Sequence, residues 1–175
     1  MTEAQLSNAM DAYGSTVYRL ALTRMQNIAD AEDVYQEVFL RLWKQAAEDW
    51  DGDRAKAWLI RTTLNRCADL HRFHLRRPGL SFAEIPDLAQ PEDESRELWE
   101  AVSRLPEKAR TAVPLYYAEG YSAEEISHLM HIPAATVRTR LHRARKQLKE
   151  LLGGIDDETC VSRSDGTNFG PQRAE

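Results

Sequence analysis

Apolar side chains recur three and four positions apart along most of this sequence, and glycine- or proline-bearing breaks separate the stretches that keep that spacing. Leu6, Met10, Tyr13, Val17, Leu20 and Ala21 make a first stripe, which predicts a helix over Leu6–Met25. Asp30 reads as the N-cap of a second helix, Ala31–Gln45. That helix sets Val34, Val38 and Leu42 on one side, with Tyr35, Phe39 and Trp43 beside them. Asp49–Asp53, containing WDGD, reads as a loop. Arg54–Leu75 then repeats the pattern through Ala57, Ile60, Leu64, Cys67 and Leu70.

The pattern stops at residues 76–94, where RRPGLSFAEIPDLAQPEDE holds three prolines and a glycine, the composition of a linker. Helical spacing resumes at about Ser95 with Leu98, Val102 and Leu105. Pro106 suits a first-turn position, and Glu107–Glu119 follows, with Pro114 expected to remove one hydrogen bond and kink the axis. Gly120 supplies a stop. Ser122 opens a capping box, S-A-E-E, with Tyr121 and Ile126 placed as a hydrophobic staple. A short helix, Ala123–Met130, a turn at His131-Ile132-Pro133 and a long helix, Ala134–Leu152, complete the ordered text. Gly153–Glu175 is polar and reads as a disordered tail. No alternating strand pattern occurs, so the fold class is all-α: two small helical domains, 1–77 and 95–153, a flexible linker 78–94, and a tail 154–175.

Composition narrows the class. The hydrophobic fraction is 42%, yet no apolar run approaches the roughly 20 residues of a membrane span, which points to a soluble protein with no membrane insertion. The N-terminus lacks the basic start and apolar stretch of a secretory signal, and two cysteines, Cys67 and Cys160, make no disulfide framework; both point to the cytoplasm. The net charge of −5 conceals segregation. Residues 1–53 hold four basic and ten acidic side chains, whereas residues 54–77 hold seven basic ones against Asp69 alone. Residues 78–101 are acidic again, and 102–152 hold nine basic and five acidic side chains. Alternation on this scale suggests surfaces for different partners.

The second basic block carries chemistry. A short apolar helix, a turn of about three residues and a second helix make a helix-turn-helix. Val137, Leu141, Ala144, Leu148 and Leu151 face inward, leaving Thr136, Arg138, Thr139, Arg140, Arg143, Arg145, Lys146 and Lys149 for solvent or DNA. No acidic residue occurs from Ala134 to Lys149, although a solvated helix ordinarily mixes signs. Six positive charges and no negative one fit a phosphate-facing surface. Groove readers use the first turns of such a helix for base edges, so Arg138 and Arg140 are candidates for guanine, and Thr136 and Thr139 for phosphate or a thymine methyl. Arg143, Arg145, Lys146 and Lys149 lie further along and suit phosphates.

Other signals are weak. Cys67, His71 and His74 share a helix face, but on a straight helix they span about 10 Å, too far for one zinc. Nucleotide-binding loop, nucleophile elbow and zinc-protease motif are all missing, so neither an enzyme, a metal nor a cofactor is expected.

Two longer stretches add a resemblance. DAEDVYQEVFLRLWKQ (Asp30–Gln45) and AWLIRTTLNRCADLHRF (Ala57–Phe73) resemble the second conserved region of bacterial sigma factors. RLPEKARTAVPLYYAEGYSAEEISHLMHIPAATVRTRLHRARKQLKELL (Arg104–Leu152) resembles the fourth. With a short linker and no first or third region, the layout is similar to the extracytoplasmic-function (ECF) sigma factors. The resemblance implies that Asp33, Gln36, Glu37, Phe39 and Leu40 dock on the clamp helices of the largest subunit of core RNA polymerase, and that the fourth region meets its flap. It implies that Arg54, Trp58, Arg61, Asn65, Arg66 and Asp69 recognise and open the −10 element of promoter DNA, with the loop Asp49–Asp53 helping to form a base pocket. It places the −35 element on the helix-turn-helix, 122–143, and it implies an anti-sigma partner. The sequence departs from the family where His131 stands in place of the usual turn glycine; histidine tolerates positive φ better than most residues. Two rival readings stay open: a dimeric helix-turn-helix regulator, for which residues 1–77 show no receiver domain, and a polymerase-interaction protein that never touches DNA, against which the basic run from Ala134 to Lys149 argues.

Overall fold

A computed structural model of the chain describes residues 1–45, 52–76 and 93–153. Among these residues there are seven helices: α1 (Glu3–Met25), α2 (Ile28–Lys44), α3 (Gly52–Arg76), α4 (Asp93–Ser103), α5 (Glu107–Tyr117), α6 (Ala123–Met130) and α7 (Ala134–Leu151). Residues 78–92 of the expected linker 78–94, most of the loop Asp49–Asp53, and the tail beyond Gly153 lie outside the described residues, and α4 takes up the last two linker positions.

Local chemistry sets the ends. Thr2 caps α1 in a reciprocal box with Gln5. The helix closes at Gln26, whose left-handed φ of 54° turns the chain, and Asn27 caps α2 by accepting the Asp30 N–H at 2.9 Å. The sequence pattern alone points to Asp30 as this cap. An asparagine three residues earlier takes the role, and Asp30 becomes a first-turn carboxylate, where the helix dipole favours it. α3 also starts two residues before expectation, at Gly52, whose carbonyl accepts the Tyr13 hydroxyl at 3.0 Å. α5 runs through Pro114 to Tyr117; the Pro114 carbonyl accepts the N–H groups of Ala118 and Glu119. Gly120, at φ 75°, then lets Tyr121 N–H reach the Leu115 carbonyl at 2.9 Å.

α1, α2 and α3 enclose one core, built on Val17, Val34, Val38, Leu42, Leu59 and Cys67, each at most 1% exposed. Gly14 permits the close crossing of α1 and α2, since a Cβ there would stand 3.0 Å from the Tyr35 hydroxyl. A second core joins α4 to α7 through Leu115, Ile126, Val137 and Ala144. Leu20 of α1 and Ile60 and Leu64 of α3 belong to this second core, not the first. The two halves of the chain therefore pack against each other, α1 on α5 and α3 on α6.

Candidate nucleic-acid and polymerase interfaces

The helix-turn-helix is assembled from its caps. Ser122 Oγ accepts the Glu125 N–H at 3.2 Å, and the Glu125 carboxylate accepts the Ser122 N–H at 2.8 Å. Tyr121 packs on the core that holds Ile126. His131 adopts φ 53°, ψ 47°, the left-handed turn conformation that its departure from glycine put in question, and its N–H bonds the Ser127 carbonyl. Pro133 then starts α7. Ile126, Leu129, Val137, Leu141 and Ala144 lock the two helices together.

On the outer face of α7, Arg138, Thr139, Arg143, Arg145 and Lys146 are exposed, and Thr136 and Arg140 are half-buried. Arg138 pairs with Glu124 at the start of α6. Arg145 Nε donates to the Tyr117 hydroxyl at 3.0 Å, and the Thr139 hydroxyl donates back to the Ala135 carbonyl at 2.9 Å. Nothing in the sequence pattern singles out Glu124 and Tyr117: they lie 14 and 28 residues from the arginines they meet, so only the folded turn shows the pairing.

The exposed face of α3 carries Arg54, Arg61, Asn65 and Asp69, with Trp58 and Arg66 half-buried. Trp58 and Asn65 line a shallow groove with Thr62 and with Arg41, Lys44 and Gln45 of α2. The tryptophan is thus a wall of a basic, open groove as well as a neighbour of the core. Further along, Arg66, Asp69, Arg72, Phe73 and Arg76 frame a second hollow. Arg41, Lys44, Arg72, Phe73 and Arg76 join these surfaces beyond the residues the resemblance implies. Their signal was available: Arg41 and Lys44 are the basic end of an otherwise acidic helix.

On α2, Asp33, Gln36 and Leu40 are exposed and one turn apart, and Trp43, 42% exposed, continues their stripe. Two expected members differ. Phe39 is 4% exposed and packs against Tyr35 with ring centroids 4.8 Å apart and ring planes tilted by 52°, so it supports the helix from beneath. Its position, one step past Val38, puts it on the edge of the buried side. Glu37 is half-buried and pairs with both Arg41 and Arg66, linking the α2 stripe to the α3 face.

Cys67, His71 and His74 each have other surroundings. Burial pushes the Cys67 thiol up to about 12. His71 Nε2 lies 3.3 Å from the Arg24 carbonyl, and His74 lies 3.3 Å from the Asp30 carboxylate. Among the described residues no helix is long and apolar enough to cross a membrane.

Comparison with known proteins agrees with this geometry. The family Sigma-70 region 2 matches residues 9–77, and the family Sigma-70, region 4 matches residues 95–148. The chain is 35% identical over 161 residues to the ECF RNA polymerase sigma factor SigE of Mycolicibacterium smegmatis, covering 86% of this chain and 62% of that protein. It is 33% identical over 155 residues to the ECF RNA polymerase sigma factor SigM of Bacillus subtilis, covering 83% of this chain and 94% of that one. Among solved structures, the sigma factor RpoE of Bartonella quintana, in complex with the anti-sigma factor NepR, superposes with a TM-score of 0.70 at 23% identity, over 87% of this chain and 99% of that one. With sigma-type regions matched in both halves and a relative covered almost end to end, this chain belongs to the extracytoplasmic-function sigma factors of the sigma-70 family.

Proposed function

We propose that this protein is the promoter-specificity subunit of a bacterial RNA polymerase, reading a −35 element with α7 and opening a −10 element with α3 while α2 docks on the clamp helices of the largest subunit. One observation carries the reading: a single chain presents three separate surfaces of matching chemistry. They are a basic helix in a helix-turn-helix with no acidic residue from Ala134 to Lys149, a basic groove walled by Trp58 and Asn65, and an exposed Asp33–Gln36–Leu40–Trp43 stripe. The chain initiates transcription and catalyses nothing itself; the chemistry belongs to the polymerase.

Each surface suits its task physically. Arg138 and Arg140 stand in the first turns of α7, where a bidentate guanidinium can meet guanine O6 and N7. Thr136 and Thr139 flank them, and Arg143, Arg145 and Lys146 extend toward the phosphates. Strand opening costs about 1.4 kcal/mol per base-pair step in lost stacking. The α3 surface offsets that cost by offering an aromatic wall at Trp58, an amide at Asn65, and the guanidinium groups of Arg54, Arg61 and Arg66 to an unstacked strand. Asp69, held by Arg72, keeps that arginine in place. Asp33, Gln36, Glu37 and Leu40 give the polymerase a polar edge beside an apolar one, which fits a basic amphipathic partner helix.

The protein works in the cytoplasm, where core polymerase and promoter DNA are found. An anti-sigma protein is a further partner, supported by the similarity to a sigma factor solved with its anti-sigma factor. Residues 1–77 and 95–153 form the two working units. The experiment is to map transcription starts in the host after overexpression. New starts sharing one upstream and one downstream element are expected; an unchanged start profile contradicts the reading.

A further inference from the structure

One side of the first helical unit carries groups that the α2 stripe does not use. Gly14, Ser15 and Tyr18 of α1 and Glu32, Tyr35 and Gln36 of α2 line an open hollow of about 540 Å³. Positions 14 and 18, like 32 and 36, are four apart, so each helix turns one edge to the same space. Gly14 is its floor. A Cβ there would stand 3.0 Å from the Tyr35 hydroxyl and 3.6 Å from the ring, so the missing side chain keeps the space open. The walls are the half-buried rings of Tyr18 and Tyr35, 6.2 Å apart and edge to face at 81°. Phe39 backs Tyr35 with its centroid 4.8 Å away, which fixes that wall before any partner arrives. Ser15, Glu32 and Gln36 form an exposed rim.

Within the described residues, none of the five polar side chains around this hollow makes a hydrogen bond or an ion pair. Other carboxylates of the same unit are engaged: Glu37 with Arg41 and Arg66, Asp69 with Arg72, and Asp30 with His74. The field at the hollow is negative. Burial and the Glu32 carboxylate raise the Tyr18 hydroxyl above its ordinary value, and burial and Asp11 raise that of Tyr35, so both phenols stay neutral. An anion would be repelled by Glu32 and Asp11. An apolar side chain would cover the rim groups and give them no partner. A cation is attracted both to a ring face, within about 6 Å of its centre, and to the carboxylate. Of the two basic side chains, arginine alone lays a planar guanidinium on an aromatic ring and still donates from its edge to a carboxylate and an amide.

Gln36 ties this hollow to the docking stripe: it lies on the rim and stands one turn from both Asp33 and Leu40. A basic partner laid along that stripe passes the mouth of the hollow. We infer that the hollow receives one arginine side chain of the polymerase element that docks on α2, stacked on the tyrosine pair and joined to Glu32. The docking surface then spans two helices, and α1 contributes a socket to it. The inference rests on the proposed docking of α2, and its test separates the two.

The test is an equilibrium titration of fluorescently labelled full-length protein with core polymerase at one fixed salt concentration. Glu32→Gln removes the charge and Tyr18→Leu the ring; each is expected to weaken binding about threefold or more. Glu32→Lys should weaken it further, since a like charge then faces the incoming arginine. Tyr18→Phe keeps the ring and should bind within about twofold of the native chain. Glu32→Gln combined with Tyr18→Leu should lose less than the product of the two single losses, because both act on one group. Losses that multiply in full would mean separate contacts and overturn the socket, as would equal losses for Tyr18→Phe and Tyr18→Leu. Melting followed by circular dichroism checks that each variant is folded at the assay temperature. Glu32 is exposed, so its variants carry the test should Tyr18→Leu unfold. Asp33→Lys reports on the stripe itself. If it weakens binding while Glu32→Gln and Glu32→Lys do not, the socket is overturned and the docking of α2 stands. If none of the three weakens binding, the proposed docking falls with the socket.

Discussion

Replacing Arg138 by Ala should change which promoters are read more than how well the protein folds. Arg138 sits in the second turn of α7, exposed, and its visible partner is Glu124, also exposed. Such surface pairs contribute about 0–1 kcal/mol to stability. The helix itself is anchored by Val137, Leu141 and Ala144. Urea unfolding should therefore move by less than about 1 kcal/mol. A bidentate contact from a guanidinium to guanine is worth about 1–3 kcal/mol of discrimination, or about 5- to 150-fold in affinity. The assay is fluorescence anisotropy at one fixed salt concentration, on upstream-element duplexes that vary one base pair at a time. The variant should lose that factor on the native duplex and lose its preference at one position only. Arg143→Ala is the comparison: as a phosphate contact it should weaken every duplex alike. A uniform loss for Arg138→Ala would refute the assignment and move this residue to the phosphate group. Glu124→Gln frees Arg138 without removing it, so it should leave the preferred base unchanged.

Three further outcomes follow from particular residues. His131→Gly should raise stability by about 0.5–1 kcal/mol in urea unfolding, because a left-handed φ of 53° strains any side chain with a Cβ; a loss would show that the histidine side chain contributes more than its strain costs. Asp33→Lys, an exposed change on the α2 stripe, should weaken core-polymerase binding about tenfold in a pull-down titration with no change in melting, and unchanged affinity would remove Asp33 from that surface. Burial raises the Cys67 thiol from 9.0 and the Tyr121 hydroxyl from 10.0, each to about 12, the tyrosine helped by the nearby Glu119 carboxylate. Both ionise earlier in the unfolded chain, so stability should be flat up to about pH 8.5 and fall between about pH 9 and 12; a flat profile through pH 11 would contradict their burial.

Helix positions were legible because each depends on neighbours within four residues. The Ser122–Glu125 box, the left-handed turn at His131 and the inward stripe of α7 are all local in this sense. Asp30 misled for the same reason: Asn27 is an equally good cap, and the choice depends on where Gln26 turns the chain out of α1. The resemblance assigns Phe39 to the docking surface, and apolar spacing alone does not show that its ring lies on the buried edge. The packing of the two halves was not legible at all. Thr16 meets Glu119 across 103 positions, and Arg24 meets Thr111 across 87. A pattern read in windows of a few turns assigns Leu20, Ile60 and Leu64 to the first core, whereas they complete the second. The basic charge of α7 was plain from composition, but its restraint by Glu124 and Tyr117 depends on the turn that brings those side chains across.

The most direct test of promoter specificity is transcription with purified components: this protein, core polymerase free of any other specificity factor, and a template carrying a promoter mapped in the host. Run-off product from that promoter is expected with this protein present and none from core alone. Product that appears only when a second specificity factor is added would contradict it.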